Sequence, residues 1–251
     1  NLSSISIRTE QGTPKYDGTD IYLMDGEELV PKSKAVYKDA DGYNVYEYLP
    51  RVEKAFTLIT QHVKPDKSES YWVAISVQNV TRSYGRTSAS RIFNPDQTSQ
   101  IFEWLVDEDS DGKGNKTVYT YKAENEDGLK GEIWENGHSY NNKYPESIQY
   151  GNYLDSLKHE QFAFQVLFNY GEYDITDLKT SGHDPHQAVG KWDYRTDPFS
   201  SFKSGFEIRT CRLCKGILIF HNFKKELGDI CLTKALTFEY SLVGQYSGEP
   251  S

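Results

Sequence analysis

Three charged residues near the C-terminal end of the chain stand inside apolar sequence, where a charge is costly unless it is paired. Glu207 and Arg209 are two residues apart, and Arg212 follows within the same segment, residues 195–228. Residues two apart on a strand share a face. We therefore predict that Glu207 pairs with Arg209 or Arg212 in a buried or partly buried network. A solvated strand face is the alternative.

An acidic triplet formed by Asp107, Asp109 and Asp111 matches the start of a calcium loop, because Ca²⁺ takes oxygen ligands at alternate positions. A glycine follows the triplet, as the sharp turn of such a loop requires. The twelfth position is Val118, however, so the bidentate glutamate is missing. Apolar and aromatic residues flank the triplet on both sides. We interpret residues 107–116 as an acidic hairpin tip.

Four soft ligands, Cys211, Cys214, His221 and Cys231, are of the types that hold zinc. Residues 211–220 are predicted as a strand, on which positions three apart face opposite sides. Cys211 and Cys214 would then not converge on one ion, so we interpret the cysteines as small packed hydrophobes. Their odd number, three, does not form a disulfide framework.

Two further clusters could take part in catalysis. Glu132 and Glu135 flank Trp134, which suits a glycosidase, but carboxylates three apart on a strand face opposite ways. His183 and His186 could bind a metal or move protons. They stand in a polar segment with proline and glycine that is predicted as a long loop, where polar residues need no further explanation.

The elements that must position these residues are predicted to be short strands divided by turns. The 19 Tyr, 12 Phe and 4 Trp favour pleated, half-buried surfaces. We predict an all-β fold with minor helix, an antiparallel β-rich sheet assembly that forms a single domain over residues 1–251. The dipeptides typical of hairpin turns are Asp17-Gly18, Asp25-Gly26, Asp41-Gly42, Asp127-Gly128 and Asn136-Gly137. The predicted strands include residues 56–60, 71–77, 117–121, 162–170 and 236–240.

Charge and hydropathy exclude several classes of function. The net charge of −9 argues against a nucleic-acid-binding surface and against docking on anionic membranes. The longest clear apolar run, residues 216–220, is far shorter than the ~20 residues of a membrane-spanning helix. No phosphate-binding or dinucleotide-binding glycine motif is present, and we expect no cofactor. Because the chain begins with Asn1 rather than Met, we expect it to be part of something longer.

A series of collinear motifs is specific for one family. Residues 195–228 carry Arg195-x-Asp197-Pro198-Phe199-Ser200, Gly205-Phe206-Glu207-Ile208-Arg209, Arg212-Leu213-Cys214 and Phe220-His221. Further motifs, among them Gly12-x-Pro14-x-Tyr16-Asp17, Phe102-Glu103-Trp104-Leu105 and Tyr119-x-Tyr121-Lys122-Ala123-Glu124, cover essentially the whole chain. Together they resemble the SpvB/TcaC family, which comprises the N-terminal part of the SpvB virulence protein and of Tc insecticidal toxin complex B subunits.

The resemblance implies a non-catalytic structural domain, part of an Rhs/Tc-B-like β shell that helps to enclose or deliver a toxic effector. It also implies a protein that is secreted and delivered to a host. The implied partners are the propeller, the YD-repeat shell and the C-terminal effector of such a toxin. The family's transferase motif, Ser-Thr-Ser with a following Glu-x-Glu, does not occur in this chain. We therefore expect no ADP-ribosyltransferase activity here.

Two other functions remain open from the sequence. A free-standing binding module, for example for host-surface glycans, would use exposed aromatic side chains such as Trp134, Tyr140, Tyr144 and Trp192. A glycosidase would need facing carboxylates, one of them with a raised pKa.

Overall fold

The computed structural model describes residues 2–32, 37–52, 56–128, 136–174, 187–223 and 230–240. These residues form antiparallel strands and one short 3₁₀ helix, Ser88–Ser90, so the prediction of an all-β fold is confirmed. No helix in these ranges is long and apolar enough to cross a membrane. The strands are β1 (Ser4–Ile7), β2 (Tyr22–Met24), β3 (Glu27–Pro31), β4 (Tyr37–Lys38), β5 (Asn44–Pro50), β6 (Phe56–Val63), β7 (Ser70–Ser76), β8 (Thr81–Tyr84), β9 (Arg91–Asn94), β10 (Gln97–Ser110), β11 (Lys116–Ala123), β12 (Lys143–Leu154), β13 (Glu160–Asn169), β14 (Phe199–Ser201), β15 (Ile208–Thr210), β16 (Gly216–His221) and β17 (Cys231–Thr237).

The first half of the chain closes into an eight-stranded barrel. Strands pair in the order β1-β2-β3-β5-β6-β7-β8-β10, and β10 returns to β1 with Ile5 opposite Trp104. Aromatic and aliphatic side chains fill the interior, because alternate residues of each strand point inward. The fully buried side chains there include Ile5, Ile59, Trp72 and Tyr84.

Strand β10 belongs to the barrel and also to a second part of the sheet. Its residues 103–105 pair with β1, and its residues 108–110 pair with β11. From β11 the sheet continues in the order β11-β12-β13-β16-β17, and a separate hairpin joins β14 to β15. The length of β10, 14 residues, is what allows one strand to serve both parts.

The two faces of this second part differ. Leu167, Leu218 and Phe220 point to one face and form a buried cluster. On the other face the register aligns Tyr150 with Phe164, Phe164 with His221, and His221 with Cys231. This face is only half covered by the described residues. The alternation follows from the period of two along a strand.

The predicted turns and strands agree with the structure in part. Asp25-Gly26 forms the two-residue turn between β2 and β3, with both φ values positive (51° and 83°), as a type I′ turn requires. Residues 236–240 were predicted as the closing strand, whereas β17 starts earlier and ends at Thr237. Residues 211–220 are not one strand. β15 ends at Thr210 and β16 begins at Gly216, because the chain between them turns the Arg212 side chain inward.

We predict that Gly85→Ala destabilises the fold by about 2–4 kcal/mol. A Cβ at this position would lie 2.4 Å from Trp104 Cδ1, and the backbone has φ = +67°. Gly42→Ala is the matched control, since its φ is +83° but nothing lies within 4 Å of the added carbon. It should lose only about 1 kcal/mol. Urea unfolding measures both variants, and equal losses would contradict the close approach to Trp104.

Candidate functional site

Among the residues that the structure describes, one ion pair is completely buried. Arg212 Nε donates to Glu124 Oε1 over 2.7 Å, and neither side chain has exposed surface. The guanidinium also donates to the main-chain oxygens of Trp192 (3.1 Å) and Asn125 (2.7 Å). A buried charge is tolerated when its hydrogen bonds are satisfied, and protein groups alone meet that condition for Arg212.

The second carboxylate oxygen of Glu124 holds two further groups. It accepts hydrogen bonds from the Tyr144 hydroxyl (2.6 Å) and from the main-chain N–H of Cys211 (3.2 Å). Burial and the adjacent Glu124 charge raise the pKa of Tyr144 far above its usual value, so the hydroxyl keeps its proton and donates. Glu124 therefore fixes the end of β11 to β12 and to the residue that follows β15.

Trp192 lies between two cations. The guanidinium of Arg212 is 4.2 Å from the ring centroid, and Lys122 Nζ is 4.3 Å from it. The indole N–H donates to Asn125 Oδ1 over 2.9 Å. Lys122 also pairs with the buried Glu172 at 3.2 Å. Cation–π contacts of this kind hold the loop that carries Trp192 against the sheet.

Glu207 has a different set of partners from Arg212. Its carboxylate accepts hydrogen bonds from Ser200 Oγ (2.5 Å) and the Ser139 N–H (3.0 Å), and it contacts His138 Nδ1 at 2.6 Å. Arg209 Nη1 reaches the same group by donating to Ser200 Oγ over 2.9 Å. The predicted network of Glu207, Arg209 and Arg212 is thus divided: Ser200 connects the first two, and Arg212 pairs with Glu124 instead.

The three acidic residues of the calcium-like motif each hold protein groups. Asp107 is the extra residue of a bulge opposite β8 and accepts from Ser83, Ser90 and the N–H of residue 86. Asp109 forms a two-pronged contact with Arg82, at 2.6 and 2.8 Å. Asp111 closes the hairpin tip through backbone N–H groups. No His, Cys, Asp and Glu cluster in the described ranges could hold a metal ion.

The four zinc-ligand candidates lie in two separate places. Cys211 is buried beside Tyr144 and Glu124, and Cys214 packs partly against Tyr144 and its aromatic neighbours. His221 and Cys231 face each other across β16 and β17. Because β16 runs between Cys214 and His221, the two pairs are separated by about 17 Å of strand. All three cysteines are free thiols.

The other residues proposed from the sequence are buried or undescribed, except Tyr140, which is partly buried. Tyr144 and Trp192, which the glycan-binding alternative places at the surface, are 7% and 1% exposed and belong to one buried cluster. That part of the alternative is therefore wrong, since both rings are used to pack the interior. Glu132, Trp134, Glu135, His183, Asp184 and His186 lie outside the described residues.

The segment that carries the family motifs, residues 195–223 as described, contacts one end of the barrel through residues 204–206. The Tyr16 hydroxyl donates to the main-chain oxygen of buried Ser204 over 2.6 Å, and its ring lies 6.4 Å from the Phe206 ring. Gly205 between them has φ = +84°, which favours glycine. The remaining motif residues are distributed over this segment: Asp197 pairs with Arg195, Pro198 precedes β14, Phe199 is exposed, Leu213 is half-buried, Phe220 is buried and His221 contacts Phe164.

The sheet has an outer strand on the side away from the barrel. Strand β17 pairs with β16 on one edge, and no strand in the described ranges pairs with its other edge. Residues near this edge are exposed, among them Leu236 (39%), Phe238 and Tyr240. An unpaired edge with exposed apolar side chains is a surface on which a further strand can pair.

The sequence did not reveal Glu124 as the partner of Arg212, nor the cluster of Tyr22, Tyr46 and Tyr48 at one end of the barrel. Glu124 follows directly after an alternating strand and ends one of the family motifs. Its place in the motif singles out the residue but does not identify its partner, which is 88 residues away. The alternation Tyr46-x-Tyr48 and the lone amide of Gln61 in an apolar strand were signals for an inward-facing polar site.

Comparison with known proteins identifies the family to which this fold and these motifs belong. The sequence profile of the family described as Salmonella virulence plasmid 65kDa B protein matches residues 1–223. The mono(ADP-ribosyl)transferase SpvB of Salmonella typhimurium is 32% identical over 267 aligned residues, which cover 94% of this chain and 44% of that protein. The chain belongs to the SpvB family. It thus spans less than half the length of the curated relatives that it matches.

Solved structures of the SpvB family and of Tc toxins share the fold. The N-terminal domain of the effector protein SpvB from Salmonella typhimurium superposes with a TM-score of 0.85 at 30% identity, over 96% of this chain and 82% of that one. The TcdB2-TccC3 structure gives 0.84 at 28% identity, over 96% of this chain and 13% of that one. The Tc holotoxin pore of Photorhabdus luminescens gives 0.84 at 27% identity, over 95% and 12%. The predicted resemblance is confirmed.

We predict that Arg212→Met lowers the free energy of unfolding by about 3–5 kcal/mol, because it leaves the buried Glu124 carboxylate without its counter-charge. Arg51→Met is the matched control: Arg51 pairs with Glu28, but its side chain is 67% exposed. That substitution should change stability by less than about 1 kcal/mol. Denaturant unfolding compares the two, and a small loss in both would contradict the structural role of the buried pair.

Glu207 should contribute stability that depends on pH. Burial acts to raise the pKa of its carboxyl, but hydrogen bonds from Ser200, Ser139 and His138 together outweigh burial and hold the pKa below 4.5. A lowered pKa stabilises the fold above the unfolded-state value, and this contribution disappears as pH falls through the folded-state value.

We therefore predict that Glu207→Ala costs about 1.5–3 kcal/mol at pH 7. The difference from the wild type should shrink as pH falls below 4.5. Unfolding free energies of both proteins measured across this pH range check the sign. A difference that stays constant, or grows in acid, would contradict the network around Glu207.

Proposed function

We propose that this domain is a non-catalytic structural part of a secreted toxin, and that it helps to enclose or deliver an effector carried elsewhere in the assembly. The observation that carries the proposal is its near-complete superposition on one segment of the TcdB2-TccC3 structure. In that structure the matching segment is about an eighth of a much larger chain. A domain of this fold that forms a small part of a larger toxin chain is consistent with a structural role.

The geometry of the described residues supports a building role. Several of their charged groups hold segments together: Glu124 pairs with Arg212, Asp109 with Arg82, and Glu207 with Ser200. The relatives named as transferases extend well beyond the region that this chain matches. We propose that transferase activity belongs to that additional part of those proteins, and that this chain itself turns over no substrate.

The outer strand supports assembly with neighbouring segments of the toxin. Among the described residues no strand pairs with the outer edge of β17, and Leu236, Phe238 and Tyr240 are exposed beside it. Long sheets are extended by pairing at such edges. We propose that the partner is another β segment of the same toxin, such as the propeller or the shell.

Hydrogen–deuterium exchange on this chain alone and on the full-length protein that contains it tests the proposal. In the chain alone, alternate amides of residues 232–237 should exchange fast, because no strand of the described residues pairs with one edge of β17. In the full-length protein these amides should be protected by the neighbouring strand.

Strand β6 is the internal control, since β5 and β7 already pair with both of its edges. Its exchange should be the same in both proteins. Equal exchange of β17 in the two proteins would contradict a role in assembly through this edge. Turnover of NAD⁺ or of a glycoside by the chain alone would contradict the non-catalytic part of the proposal.

A further inference from the structure

The barrel has a cavity at one end that no structural role accounts for. Its volume is about 290 Å³, near the lower limit of small-molecule sites. An eight-stranded barrel is wide enough either to be filled by side chains or to hold one small ligand. Here side chains fill the centre and leave space at the mouth.

The cavity is lined by aromatic rings. Tyr22, Tyr48 and Trp104 are almost fully buried and form its base, with the Tyr22 ring 5.8 Å from each of the other two. Tyr16 and Tyr46 are only partly buried and form its walls. In the described residues, no side-chain cation lies over Tyr16, Tyr22, Tyr46 or Tyr48, in contrast to Trp192. Of these four rings, Tyr16 and Tyr46 are only partly buried and line the space that a ligand would occupy.

The charges at the rim favour a cation. Asp17, Asp20 and Lys67 line the opening and sum to one net negative charge. Hydrogen bonds from the Thr19 side chain and main chain lower the pKa of the exposed Asp17 carboxyl, which stays ionised. Aromatic faces beside carboxylates are the arrangement that binds quaternary ammonium groups.

The polar groups at the mouth fit a cation better than a sugar. Asp20 already accepts the N–H groups of Lys15 and Tyr16, at 2.8 and 2.7 Å. Gln61 Oε1 accepts the Tyr48 hydroxyl at 3.3 Å. With these oxygens occupied, Asp20 offers charge rather than free acceptors for sugar hydroxyls. Such a site attracts a positive group without needing new hydrogen bonds.

The barrel interior also holds a polar group without a partner. Tyr46, Gln61 and Trp72 lie opposite one another across β5, β6 and β7, so all three face inward. Trp72 is fully buried, and its Nε1 has no hydrogen-bond partner among the described residues. Its ring packs against Tyr22 and Tyr48 at 4.9 Å, so this donor lies behind the base of the cavity and does not line it.

We propose that the mouth of the barrel binds a small organic cation of the choline type, a trimethylammonium group with a short polar tail. The tyrosine rings would surround the ammonium group, and the charges of Asp17 and Asp20 would attract it. This site is separate from the assembly edge at β17, so the two proposals can fail independently.

Isothermal titration of the 251-residue chain with choline tests the site. The control ligand is 3,3-dimethylbutan-1-ol, which has the shape of choline but no charge. Choline should bind roughly tenfold more tightly than this alcohol, since cation–π attraction and the rim carboxylates act only on the charged ligand. Equal affinities, or no binding of choline, would overturn the proposal.

Matched variants locate the binding. Tyr46→Leu should weaken choline binding roughly tenfold, and Asp17→Asn about threefold. Tyr153→Leu removes an exposed tyrosine on β12, outside the barrel, and should leave the affinity unchanged. Near-ultraviolet circular dichroism checks that each variant is folded. Loss of binding in Tyr153→Leu, or none in folded Tyr46→Leu, would also overturn the proposal.

Vesicles distinguish the two sources of this headgroup. If the chain sediments with phosphatidylcholine vesicles, and free choline releases it from them, the site takes the lipid headgroup. Binding of choline without binding to these vesicles would show that it takes the free cation. Equal sedimentation with phosphatidylglycerol vesicles, which lack the ammonium group, together with no choline binding would overturn the proposal.

Discussion

The buried pair of Arg212 and Glu124 is the interaction on which the second half of the structure depends. It joins the end of β11 to the link between β15 and β16, 88 residues later in the sequence. The loop of Trp192 is held between the same guanidinium and Lys122. Two charges in an apolar interior are costly unless each oxygen and nitrogen is satisfied, so the pair is compatible with only one arrangement of these three segments.

This constraint complements the hydrophobic core rather than replacing it. The barrel is specified by its large interior side chains and by the pairing of β1 with β10, which leaves no free edge there. Beyond β11 the sheet is open, and its buried clusters are small. An open sheet with small clusters can slip in register more readily than a closed barrel. A polar network with fixed geometry provides the specificity that apolar packing leaves undetermined.

Local features of the fold could be predicted from the sequence, and non-local ones could not. The Asp25-Gly26 turn follows from dihedral preferences of two residues, and the strand at 56–63 follows from its β-branched and aromatic content. By contrast, residues 211–220 have the pattern of one strand but are interrupted before Gly216. Arg212 lies in the interruption and pairs with a residue far away in sequence. The closure of β1 on β10 likewise depends on residues about 100 positions apart.

The same limit applies to the candidate sites. The acidic triplet, the cysteines and the tyrosines each suggest a ligand when read as isolated residue types. In the fold, Arg82 neutralises Asp109, and a length of strand separates Cys214 from His221. Tyr46 and Tyr48 form a polar site in the barrel only because β6 places Gln61 beside them.

The conformation of Tyr16 connects the barrel mouth to the motif segment. Its φ of 57° is unfavourable for a tyrosine, by about 1 kcal/mol or more. Asp20 offsets this by accepting its N–H, and the Ser204 main-chain oxygen accepts its hydroxyl. Ser204, which lies in the same segment as Arg212, therefore holds the wall of the cavity in place. Tyr16 thus connects the cavity wall to the segment that carries the buried Arg212.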